Sequence, residues 1–241
     1  MLSPNAERFA REHPRLARTI ERIVMWPYRI RIRRGERNRV AVLEKTIESL
    51  RAQHEHAHER DYAERALVLN ASLYALIFDR DFAALKEFFL SADNDWDRRF
   101  VARQMAVMLY EASKDVPVLI GKDFRAMLVR LEISDDVVRE VNEIRTQMAA
   151  FKQKHATRLK QLRNSMAAHR EHDVLLQFRL LDGLDRFEVY RTAVEFWSIM
   201  QALTSTLTHL MNEMGTLRRL ARQVGAAMER QKSTSQNGSH V

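Results

Sequence analysis

From Phe124 to Asp182 the chain runs 59 residues without a glycine or a proline. These two residues are the usual punctuation of turns, glycine because it reaches backbone conformations closed to others, proline because it fixes φ and lacks a donor. A many-stranded sheet needs a turn about every 8–12 residues, so a stretch of this length without either residue excludes one. The same scarcity extends to the whole chain, with 6 glycines and 4 prolines in 241 residues, against the usual ~7% and ~5%. The fold class expected is all-α, an up-and-down helical bundle of about four main helices with one short helix and a charged helical N-terminal extension.

The few breaks divide the chain. Pro27 and Gly35 bracket an arginine-rich stretch, Pro117 and Gly121 break the chain near its midpoint, and Gly183 marks a later turn. Four segments then repeat apolar residues at helical spacing. The first carries Tyr62, Ala66, Leu69, Leu73, Leu76, Ala84 and Phe88; the second carries Trp96, Phe100, Met105, Leu109 and Ala112 and ends before Pro117. The third starts at Ser134, read as a cap before the acidic turn Asp135-Asp136, and runs through Val137, Val141, Ile144, Met148, Phe151, His155, Leu159, Leu162, Met166 and His169. The fourth starts near Asp185 and carries Phe187, Tyr190, Val194, Trp197, Met200, Leu207, Met211 and Met214, while a short helix, Asp123 to Leu131, precedes the third. One apolar stripe per helix describes a bundle. The division expected is a basic arm and charged helix over 1–60, the bundle over 61–214, and a basic helix end with a polar, disordered tail over 215–241.

Charge is concentrated at the two ends. Residues 1–60 carry 14 basic and 8 acidic side chains, a net of +6, residues 214–241 carry 5 and 1, a net of +4, and the middle is left at −2. Uniform basicity would point to nucleic acid; here only the arms do. Tyr28 to Arg34 alternates after Pro27, so that an extended arm would set Arg29, Arg31 and Arg33 on one side and Tyr28, Ile30 and Ile32 on the other. Such an arm suits an RNA backbone or an acidic membrane surface. Residues 36–60 read as a charged helix with Val40, Leu43, Ile47 and Leu50 on one side, either extending the first bundle helix or serving as a partner-binding arm. No run of 18 apolar residues offers a membrane span, and Glu7, Arg8, Arg11 and Glu12 stand where a signal peptide would be apolar. A cytoplasmic protein without stable membrane insertion is expected.

Chemistry is concentrated in Arg163-Asn164-Ser165-Met166-Ala167-Ala168-His169. Arginine can hold two phosphate oxygens and stabilise added negative charge, and histidine moves protons near neutral pH. Six residues of regular helix turn ~600°, so the two lie ~120° apart and must border a broad cleft unless the helix loosens between them. His169 is in phase with the apolar stripe. So is His155, which lacks an arginine and asparagine six and five positions earlier. The alternative reading is a hydrogen-bonded core histidine beside a surface arginine. Other signatures are missing: there is no cysteine for a thiol nucleophile or zinc ribbon, no glycine-rich phosphate loop, and no glycine elbow around Ser165. His54, His56 and His58 bring only two potential metal ligands to one helix face, which leaves a metal site incomplete.

The motif resembles the signature of the HEPN superfamily (higher eukaryotes and prokaryotes nucleotide-binding domains), an arginine separated by four to six residues from a histidine and commonly followed by a polar residue. The resemblance spans roughly residues 60–214. It implies a metal-independent, cofactor-free endoribonuclease of the toxin or antiviral type, acting on RNA as a homodimer and answering to an antitoxin or other protein partner. On that resemblance Arg163 and His169 are the catalytic residues and Asn164 contacts substrate. Glu111 is the candidate for the acidic residue such families often add from an earlier helix, and Arg29, Arg31 and Arg33 are candidates for holding RNA. The resemblance equally admits a non-catalytic nucleotide-binding or interaction module.

Overall fold

A computed structural model of the chain describes residues 14–92, 94–164, 183–216 and 224–225, with side chains described at Ile30 and from Arg34 onward. Six helices account for nearly all of it: α1 (Pro14–Glu59), α2 (Ala63–Ser91), α3 (Asp95–Leu119), α4 (Lys122–Arg130), α5 (Asp135–Leu162) and α6 (Arg186–Met214). The described residues contain no strand. No helix among them is long and apolar enough to cross a membrane.

The bundle consists of α2, α3, α5 and α6. Tyr74 bonds Asp115 across α2 and α3, Trp197 bonds Asp79 across α6 and α2, and Thr206 bonds Glu140 across α6 and α5. Their core is aromatic at its centre, with Phe151 and Phe78 at 4.8 and 5.2 Å from Phe196. Methionines Met105, Met148 and Met200 fill the irregular space around these rings and are fully buried. The α5 stripe from Val137 to Leu162 is buried as expected, apart from the partly buried His155. On α6 the buried row is Val189, Ala193, Phe196, Met200, Leu203, Leu207, Leu210 and Met214, spaced alternately by four and three residues. That row is rotated from the expected one, leaving Phe187 and Val194 exposed.

The largest departure from the expected pattern is in α2. Val68, Ala71, Ala75, Phe78, Phe82 and Phe89 face the bundle, whereas the stripe through Ala66, Leu69, Leu73 and Leu76 faces α1. Leu43, Ile47, Leu50 and Ala57 supply the other half of that seam at coiled-coil spacing. Residues 36–59 therefore form neither an extension of the first bundle helix nor a free arm. They fold back on α2 through a turn in which Asp61 takes φ +54°.

Three local readings are corrected. Residues 28–34 are helical rather than extended, because α1 runs unbroken through Pro27 and Gly35; one missing donor and one glycine do not outweigh the surrounding helix-forming residues and the packed seam. Helical spacing puts positions 29 and 33 on one face and 31 on another, so the three arginines make no single row. α3 passes Pro117 and ends at Leu119, since a proline this close to the end removes only one bond. Ser134 is the N-cap of α5 but bonds none of the helix amides. Glu213 of α6 serves that end instead, accepting from the Ser134 hydroxyl and from its backbone N–H at 3.2 Å. Asp185 does cap its helix, accepting from the amides of Phe187 and Glu188.

Candidate functional site

At its C-terminal end α5 widens into a π-turn at Arg163 and Asn164, a local loosening common at functional sites. Leu162 and Leu159 are buried and fix the helix there, leaving the Arg163 side chain one-third exposed. Three groups hold its guanidinium. Glu111 Oε1 on α3 pairs with Nε at 3.2 Å, the Asn164 side-chain oxygen accepts from Nη1 at 3.1 Å, and the Tyr110 ring lies 5.7 Å beneath its carbon. Two of the expected site residues, Arg163 and Glu111, thus meet across two helices far apart in sequence, and a third, Asn164, joins them. Ser165 to His169 lie outside the described residues. Arg29, Arg31 and Arg33 fall on α1, and their side chains lie outside those described.

The surroundings of Glu111 contain residues that the motif does not include. Lys114 donates to Glu111 Oε2 at 3.1 Å and also lies over the Tyr110 ring, at 5.1 Å from its centroid. That hydrogen bond and the carboxylate charge push the Lys114 pKa up. One turn on, Asp115 accepts from the Tyr74 hydroxyl at 3.1 Å. Burial first, and then the Asp115 charge, push the Tyr74 phenol up, so it remains a proton donor throughout the physiological range. The only advance sign of this group was its spacing, Tyr110, Glu111, Lys114 and Asp115 falling within two turns of one helix.

Chemically the site presents two cations and an aromatic face around one carboxylate. A phosphate approaching Arg163 meets guanidinium N–H groups in a planar fork, with Lys114 as a second positive charge nearby. Glu111 competes for both cations. Such a carboxylate aligns the guanidinium while reducing the charge it offers.

His155, the other histidine of the stripe, serves a structural purpose. It bonds Glu195 at 3.2 Å and packs 4.7 Å from Phe151, with Lys154 on the same carboxylate at 2.9 Å. Burial pushes the Glu195 carboxyl up, but the bonds and charges of Lys154 and His155 outweigh it and the net shift is down. Among the described residues no three His, Asp or Glu side chains converge as a metal site; His54 and His58 pack edge to face at 5.7 Å. Comparison of the chain with protein-family models, with curated proteins and with solved structures returned no match.

Proposed function

We propose that the protein is a HEPN-like, metal-independent endoribonuclease in which Arg163 binds the scissile phosphate and His169 transfers a proton. The observation that carries this reading is the seating of Arg163: a partly exposed guanidinium, aligned by Glu111, Asn164 and Tyr110, where α5 leads into the motif. In the proposed reaction the ribose 2′-oxygen loses its proton to a base and attacks phosphorus. The bond to the 5′-oxygen breaks and that oxygen takes up a proton, leaving a 2′,3′-cyclic phosphate and a 5′-hydroxyl. The guanidinium stabilises the charge that accumulates on the phosphoryl oxygens. A homodimer bringing two motifs together would supply acid and base at once, and a toxin or antiviral role with an antitoxin partner fits that chemistry.

The 2′-hydroxyl requirement provides the test. With EDTA present, the protein is expected to cut RNA into cyclic-phosphate products and to leave the same sequence intact when every ribose is 2′-O-methylated. Failure to cut the unmodified RNA, or equal cutting of both, overturns the reading.

One observation favours a second reading. Glu111 pairs with Arg163 and Lys114 together and cancels one of their two charges, as a site built for cohesion would require, so a non-catalytic nucleotide-binding or protein-interaction module is the alternative. It predicts that replacing Arg163 changes ligand affinity or oligomer mass with no cleavage to lose.

A further inference from the structure

α1 is much longer than the helix it packs on. Glu36 meets Lys86, Arg39 meets Asp79 and Glu44 meets Arg80, so the two helices run antiparallel and α2, ending at Ser91, stops opposite roughly residue 30 of α1. Pro14 begins α1. About 16 residues, ~24 Å of helix at 1.5 Å per residue, therefore continue beyond the end of α2.

That overhang is segregated around its axis. At 100° per residue, positions Leu16, Ile20, Ile23 and Val24 share one arc, and Arg15, Arg18, Arg22 and Arg29 share the opposite one. Residues 14–29 contain four arginines and one acidic residue, a net of +3. This is the pattern of a helix that lies along a lipid–water boundary, with Trp26 at the edge between the arcs.

The end of the bundle that α1 passes carries a second, independent feature. Phe89 packs on Phe187 at 5.8 Å and Arg186 pairs with Asp95 at 2.8 Å, which brings together the end of α2 and the starts of α3 and α6. Four large aromatics stand out of this end: Phe88 is 65% exposed, Trp96 54%, Phe100 50% and Phe187 46%. Arg103 lies over Phe100 and Arg186 over Phe187. A groove lined by Glu36, Arg37 and Val40 of α1 and by Phe88 and Ser91 of α2 joins the aromatic end to the start of the overhang.

We propose that this end of the protein binds peripherally to the surface of an anionic lipid bilayer, the overhang lying in the interface and the exposed aromatics seated at headgroup level. The apolar arc needs an apolar environment, which an RNA backbone does not offer. The basic arc needs anions, and a second copy's overhang would instead set +3 against +3. An anionic bilayer satisfies both arcs at once.

Flotation of the full chain with vesicles tests this. Binding is expected to vesicles of phosphatidylcholine with phosphatidylserine and not to phosphatidylcholine alone. Arg18→Gln and Arg22→Gln should each weaken it about fivefold, and Ile23→Asp about tenfold or more. Trp96→Ser, on a half-exposed side chain of the folded bundle, should weaken binding without altering the circular dichroism, which guards against misfolding of the overhang variants. Absence of binding to phosphatidylserine vesicles overturns the proposal. So does full binding by both Ile23→Asp and Trp96→Ser while the arginine variants lose it, the behaviour of a plain polyanion site that would also take RNA. A doubled mass without lipid that Ile23→Asp abolishes would assign the surface to a second copy and overturn it equally.

Discussion

How firmly Arg163 is held decides what it can offer a phosphate. Glu111 is a positioning residue in this account, aligning the guanidinium at 3.2 Å while opposing an incoming anion. Its substitution should therefore separate two constants. Glu111→Gln is expected to lower KM for RNA and to lower kcat, each about fivefold, the scale of one exposed ion pair; unchanged values for both would remove Glu111 from the site. Glu195 provides a control away from the chemistry. Its folded pKa is depressed, so it stabilises the native state above the usual glutamate range of about 4.3 and loses that contribution as pH falls through the lower folded value. Wild type should exceed Glu195→Gln in stability at neutral pH, by under ~1 kcal/mol for so exposed a carboxylate. The difference should vanish in acid, as read by urea unfolding at several pH values, and a gap that widened in acid would contradict the sign.

At the scale of elements, α1 is fastened to the bundle by a buried polar node as well as by its leucine seam. Asp79 accepts from Arg39 at 2.9 Å and from the Trp197 indole at 2.7 Å, tying α1, α2 and α6 at one carboxylate that is 7% exposed. Asp79→Ala strands the Trp197 indole and leaves Arg39 with Glu36 at 3.4 Å, and should cost about 1–3 kcal/mol in chemical denaturation; a loss below ~0.5 kcal/mol would mean the seam alone holds α1. The turn between α3 and α4 depends on Gly121, where a Cβ would lie 2.7 Å from the Val118 carbonyl oxygen. Gly121→Ala is expected to cost about 1–3 kcal/mol by crowding, and unchanged unfolding would show that the turn can shift. The sequence disclosed α2 to α6 and the part of α1 over residues 36–59, but not the helix through residues 14–35 and not always the inward face. α2 is apolar on two sides, so the stripe visible through Leu69 and Leu73 belonged to the α1 seam while the bundle took Phe78 and Phe82. The Asp79 node was not legible, because an aspartate in a helix is ordinary until its partners, 40 and 118 residues away, are known.

For the molecule as a whole, scarcity of glycine and proline pointed to an all-helical chain, one apolar stripe per helix pointed to a bundle, and segment charges separated basic ends from a near-neutral middle. The site was legible in part. Arg163 and Asn164 stood out through their spacing to His169, and Glu111 as a carboxylate flanking a neighbouring stripe; their meeting depends on how α5 packs on α3, which no local pattern encodes. Tyr110 and Lys114 acquire meaning only from that meeting. On the proposed reading, labour is divided between basic ends that attract anionic partners and a middle that performs phosphodiester chemistry. Its central claim is that Arg163 and His169 carry that chemistry. Cleavage of labelled RNA by wild type, Arg163→Ala and His169→Ala, measured in EDTA under single-turnover conditions, tests it most directly. The account predicts cleavage by wild type and a loss of about a hundredfold or more in each variant; wild-type rates in both variants, or an inert wild type, would contradict it.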